Sequence, residues 1–141
     1  MEELRGKGKV AHLGVSNVSA DQLKMLVRDC TVKPTFVQNR CYARFGWDIE
    51  VRAVCREHGV VYQGFSLLTA NQRELAHPEV TRIAKDKRCT AEQVIFRFAM
   101  QVGMIPLTGT TSHSHMRDDL DCANLELKPS EIEAIERVNF A

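Results

Sequence analysis

Three apolar stretches begin at even spacing, at Val10, Thr35 and Val60, and an amphipathic helical pattern follows each. That rhythm constrains the chain more than any single motif. Alternating strand and helix signals, with largely apolar strands, predict a parallel sheet covered by helices. The first strand is expected over residues 10–15, ending in Ser16-Asn17. Ser19 and Gln22 then read as a capping box. It opens a helix over 20–30 with Leu23, Met25, Leu26 and Val27 as its core stripe. Pro34 introduces the second strand, 35–39. A loop with Tyr42, Phe45 and Trp47 comes next. Asp48 is expected to cap a helix over 49–58, closed by Gly59.

The third strand, 60–65, leads into Ser66. A longer insertion follows, with a helix from Pro78 to about residue 87, proline being a good first helical residue. Thr90 and Gln93 form a second capping box. The helix they open carries Val94, Ile95, Phe98 and Met100 and is closed by Gly103. A fourth strand is read over 104–107 and a last helix over 131–138. The fold class is therefore α/β, a βα unit repeated four times.

Between the fourth strand and the next helix lies Gly109-Thr110-Thr111-Ser112. Ser112 can cap a helix carrying His115, Met116 and Leu120. Free backbone N–H groups and the helix dipole make such a turn an anion site, and phosphate is its natural guest. In parallel α/β folds the functional residues sit where strands end. Ser16, Asn17, Gln38, Phe65, Ser66, Thr110, Thr111 and Ser112 would share one rim, the shape of a nucleotide site. No GxGxxG follows the first strand, which disfavours a Rossmann arrangement.

A net charge of +1 argues against a nucleic-acid partner bound through a basic surface. No apolar run approaches the roughly 18 residues of a membrane helix, and the N-terminus has no apolar signal region. No membrane partner is expected. Five scattered cysteines without a CxxC pair read as reduced thiols in a cytoplasmic protein, and no metal site is expected.

Residues 8–17, with Gly14-Val15-Ser16-Asn17 at their end, resemble the fifth strand of the aldo-keto reductases. Residues 34–38 resemble the sixth strand, 62–68 the seventh, and 105–112 the eighth with the helix after it. The four matches fall in order. The resemblance implies a single partial domain over 1–141, half of a (β/α)8 TIM barrel and its cofactor-binding half. It implies NADP(H) or NAD(H) as cofactor. Ser16, Asn17 and Gln38 would bond the nicotinamide carboxamide, and Phe65 would stack on the ring. Ser66, Leu67 and Leu68 would border the pyrophosphate. Gly109, Thr110, Thr111, Ser112 and His115 would surround the adenosine 2′-phosphate, with Asp118 or Asp119 near the adenine.

The chain departs from the family pattern in ways that carry expectations. His115 stands where a phosphate-gripping Arg is usual, no Lys replaces the second cation, and Asn39-Arg40 replaces an apolar residue and Glu. Weak dinucleotide binding with little preference between NADPH and NADH is expected. The family's catalytic Asp, Tyr, Lys and His come from the first four strands, so no catalytic residue is assigned here. The expected function is that of an NADP-dependent oxidoreductase of aldehydes and ketones, truncated to its cofactor half and inactive alone. The alternative is a non-catalytic nucleotide-binding or regulatory module. Self-association or a partner half-barrel is expected, because half a barrel leaves apolar positions uncovered.

Overall fold

The structure is a computed structural model and describes residues 1–138. The single-domain reading extends to residue 141, and its last three residues lie outside that range. A short helix, α1 (Glu2–Gly6), precedes the sheet. Then come β1 (Gly14–Ser16), α2 (Ala20–Asp29), β2 (Phe36–Arg40), α3 (Ile49–His58) and β3 (Val61–Phe65). The insertion holds α4 (Gln72–Leu75) and α5 (Pro78–Lys87), and α6 (Ala91–Gln101) leads into β4 (Met104–Pro106). The described chain closes with α7 (His113–Asp121) and α8 (Pro129–Arg137). All strand pairs are parallel, in the order β1-β2-β3-β4.

Local chemistry explains most boundaries. Both capping boxes form: Ser19 Oγ accepts the Gln22 N–H, Thr90 Oγ1 accepts the Gln93 N–H, and each glutamine reaches back to its cap. Pro78 is the first residue of α5, and Gly59 ends α3 at φ +67°, where glycine carries no Cβ penalty. The first strand is shorter than expected. Gly14 pairs with Phe36, the Leu13 carbonyl still accepts the Thr35 N–H, and two residues before Phe36 Pro34 has no N–H to give, so residues 10–12 run on without a ladder. Met25 and Met100 are corrections to the expected core stripes, exposed at the edges of α2 and α6. Asp48 is a third correction. It sits at the N-terminus of α3 with φ +59° and makes no cap bond, because its carboxylate turns to Tyr62 and Asn39 instead.

The core lies between the sheet and the helices. The covered sheet face runs Val15, Val37, Tyr62 and Met104 across the four strands, all but Val15 fully buried. Gly64 belongs to this face; a Cβ there would stand 3.3 Å from Met104 Sδ and 3.5 Å from Cys41 Cβ, so a larger residue would press on the Met104 side chain. Trp47 and Phe98 meet edge to face at 5.1 Å. The Trp47 indole N–H donates to the Ile135 carbonyl at 2.9 Å, which ties α8 to the turn before α3. Arg52 is buried and bonds through all three of its nitrogens, donating to the carbonyls of Trp47 and Val102 and to Glu136 at 3.0 Å.

The other sheet face has no cover among the described residues. It carries Phe36, Gln38 and Arg40 of β2, Val61, Gln63 and Phe65 of β3, and Ile105 of β4, which is 46% exposed. Among the apolar strand positions, Leu13 and Val37 are buried, while Phe36, Val61 and Ile105 look outward.

Candidate functional site

Parallel pairing sets Ser16, Gln38, Gln63 and Ile105 in one rung of the open face. Side chains alternate along a strand, so Phe65 joins this face two residues beyond Gln63. The rung is bonded internally. The Gln38 amide donates to Gln63 Oε1 at 3.1 Å. The Gln38 carbonyl accepts the Ser16 hydroxyl at 2.7 Å and the Asn17 N–H at 3.1 Å. Asn17 is left-handed, φ +54°, and its amide donates to Ser16 Oγ at 3.0 Å. The strand end at Ser66 turns in the same way, with φ +57°. Four polar groups and one aromatic ring thus stand together at the C-terminal edge of β1, β2 and β3.

A second cluster lies beyond β4. A cavity of about 360 Å³ is lined by Leu68, Gln93, Gly109, Thr110, His115, Asp118 and Asp119, with Glu92 and Thr108 completing its polar wall. A smaller one of about 220 Å³ shares Leu68, Thr108 and Gly109 and continues to Ser66 and Leu67. The two form one path from the end of β3 to the first turn of α7. Leu67 is buried where it borders that path. Gln93 fixes the far wall: its side chain back-bonds to the Thr90 N–H and also donates to the Asp118 carbonyl at 2.9 Å.

Ser112 caps α7 as expected, and the turn's own hydroxyls take up part of its donor set. Thr110 Oγ1 accepts the Ser112 N–H at 3.1 Å, and Ser112 Oγ accepts the His115 N–H at 3.4 Å. Two donors expected to face a guest are already partnered within the turn, because hydroxyl side chains compete for them. Thr111 and Ser112 do not line the cavity; Gly109, Thr110, His115, Asp118 and Asp119 do. The charge balance there is acidic. Asp119 accepts the Thr108 hydroxyl at 2.8 Å, and no lysine or arginine lines the cavity among the described residues.

Three contributors escaped sequence reading. Gln63 became visible only through the register that sets it beside Gln38. Glu92 lies in a first helical turn and reads as ordinary dipole complement. Asn71, 1% exposed, accepts the Ala43 N–H and donates to the carbonyls of Cys41 and Leu67, which pins the path's backbone to the end of β2. Its signal was a lone Asn before a short helix.

The Aldo/keto reductase family model matches residues 1–139. An aldo-keto reductase of Mycolicibacterium paratuberculosis is 30% identical over 136 residues, covering 96% of this chain and 47% of that protein. The glyoxal reductase of Bacillus subtilis is 27% identical over 139 residues, covering 99% and 50%. The crystal structure of an aldo-keto reductase enzyme from a Medee basin deep-sea metagenome library matches with a TM-score of 0.88 at 20% identity, covering 98% of this chain and 51% of that one. The chain spans about half the length of the curated relatives it matches. The family match runs through all four strands and the helices between them, and this chain belongs to the aldo/keto reductase family.

Proposed function

We propose that these residues are the dinucleotide-binding half of an aldo-keto reductase barrel, corresponding to strands five to eight. One observation carries the reading. Separate βα units deliver Ser16, Asn17, Gln38 and Phe65 to one edge of the sheet, and a continuous path leads from Ser66 to a polar cavity under α7. Ser16, Asn17 and Gln38 hold the carboxamide of a nicotinamide ring stacked on Phe65. Ser66, Leu67 and Leu68 border the pyrophosphate. Gly109, Thr110, His115, Asp118 and Asp119 surround the adenosine, with Thr111 and Ser112 in the turn that leads into α7. The polar lining fits adenine and ribose hydroxyls. It does not fit a 2′-phosphate well, since Glu92, Asp118 and Asp119 repel that group and no fixed cation offsets them. Binding is therefore weak and discriminates little between NADPH and NADH. Calorimetric titration of the purified chain with each dinucleotide tests this, and a preference for NADPH of roughly a hundredfold or more would overturn it.

When bound, the cofactor supplies hydride to a carbonyl carbon. The chain's own contribution is orientation, and the proton donor has to come from outside residues 1–138. Tyr62 is unsuited to that role: it faces the helices, is 2% exposed, and donates to Asp48 at 2.7 Å. Burial, with Cys41 and Asp48 nearby, holds its phenol far above the ordinary range. Tyr42 lies under Arg40 and Arg44 in the loop after β2. We therefore expect no carbonyl reduction by this chain alone. General acid catalysis typically contributes 10²–10⁴-fold, and positioning against a second pocket wall is missing with it. NADPH oxidation with 4-nitrobenzaldehyde above a protein-free blank, persisting through re-purification, would refute this.

A further inference from the structure

We propose that Asn39 is a positioning residue for the nicotinamide end of this site, an inference that rests on the dinucleotide reading above. Asn39 lies on the covered face of β2, 5% exposed, and touches nothing on the open face. Two of its amide's bonds hold the chain just beyond β1. Oδ1 accepts the Val18 N–H at 3.0 Å, and Nδ2 donates to the Val18 carbonyl at 2.8 Å. The side chain thus takes the place of a ladder partner where the strand itself has ended. Asn17 is held from both sides, its own N–H on the Gln38 carbonyl and the next residue on Asn39. A non-glycine residue in the left-handed region persists only where its surroundings fix it. Here the fixed residue is one of the carboxamide-binding set.

Asn39 is aimed in turn. Its Nδ2 donates to Asp48 Oδ2 at 2.7 Å, and that oxygen also accepts the Tyr62 hydroxyl at 2.7 Å. Asp48 is itself left-handed, as is Trp47 before it. The relay Tyr62–Asp48–Asn39–Val18 joins β3, the start of α3, β2 and the segment after β1, all behind the sheet. Its output is the placement of Ser16 and Asn17 in front of it. The adenosine cavity under α7 makes no contact with this relay.

The last point separates positioning from general stability. Tyr62→Phe removes the hydroxyl that aims Asp48, and Asn39→Asp replaces the donating amide with a carboxyl of the same shape that opposes Asp48. Wild type and both variants are titrated by calorimetry with NADH and with ADP-ribose, which has the adenosine and pyrophosphate but no nicotinamide. Each variant is expected to lose on the order of tenfold in NADH affinity and to keep its ADP-ribose affinity within about twofold. Equal losses for both ligands, or no loss for either, overturn the proposal. Should Asn39→Asp fail to fold, Tyr62→Phe alone decides it, since it removes one hydroxyl and no carbon from the core. A wild-type chain that binds neither ligand overturns the dinucleotide reading itself and this inference with it.

Discussion

His115 is the residue on which cofactor choice turns. It lines the cavity beside Asp118 and supplies no permanent charge. His115→Arg should raise NADPH affinity by about 1.5–3 kcal/mol, the worth of a charge-assisted bond, and leave NADH nearly unchanged. Titration with both cofactors checks it, and an unchanged NADPH affinity would place residue 115 away from the 2′-phosphate. Arg52 offers a test of the core. Removing it orphans the carbonyls of Trp47 and Val102 and the half-buried Glu136, so Arg52→Met should cost about 3 kcal/mol in urea unfolding. Ser16, Gln38 and Phe65 were readable in sequence because strand ends carry function and alternation picks one face. Arg52, Asn71 and Asn39 were not. Each is a polar residue whose burial is justified only by partners distant in sequence, and nothing local announces them.

Helix ends behave more locally, and the sequence was correspondingly clearer there. Ser19, Thr90, Pro78 and Gly59 act as read, because a cap needs only residues three or four apart. Thr90→Ala should cost about 1 kcal/mol, and Gln93→Ala should cost more, since Gln93 also ties α6 to the Asp118 carbonyl. Thermal melts of the two variants give the comparison. Strand limits were poorer: β1 begins at Gly14 because its neighbour lacks a donor at Pro34, a fact that pairing alone reveals. The start of α8 carries a pH dependence. Burial pushes the Glu131 carboxyl up, but the Lys128 N–H at 2.7 Å and the Lys87 ammonium at 3.1 Å outweigh it and hold the carboxyl below its ordinary value. A lowered carboxyl stabilises the fold above the ordinary carboxylate range and loses that contribution as pH falls through its folded value. Stability should therefore fall on acidification from about pH 5 toward about pH 3, and Glu131→Gln should flatten part of that slope. Urea midpoints across this range measure it.

For the whole molecule, the open sheet face dominates. Phe36, Val61, Phe65 and Ile105 lie there partly or largely in water, and β1 and β4 each present an unpaired edge. Apolar surface and free edges of this kind recruit partners. We expect the isolated chain to associate, with a second copy or with a partner half-barrel. A monodisperse monomer by light scattering, melting cooperatively and binding no apolar dye, would contradict this. The βα rhythm made the architecture legible in sequence, and the strands lie side by side in the order in which they occur in the chain. The tie between Trp47 and Ile135 was not legible, since it joins residues 88 apart in sequence. That tie governs how the protein is made. On the ribosome each strand emerges next to the one it pairs with, so the nascent sheet grows in order of synthesis. Trp47 and Arg52 take their places early, yet the Ile135 carbonyl and Glu136 are translated more than eighty residues later. Until then the indole N–H and one arm of the guanidinium lack the partners that they have in the folded chain. Arrival of α8 ends that interval.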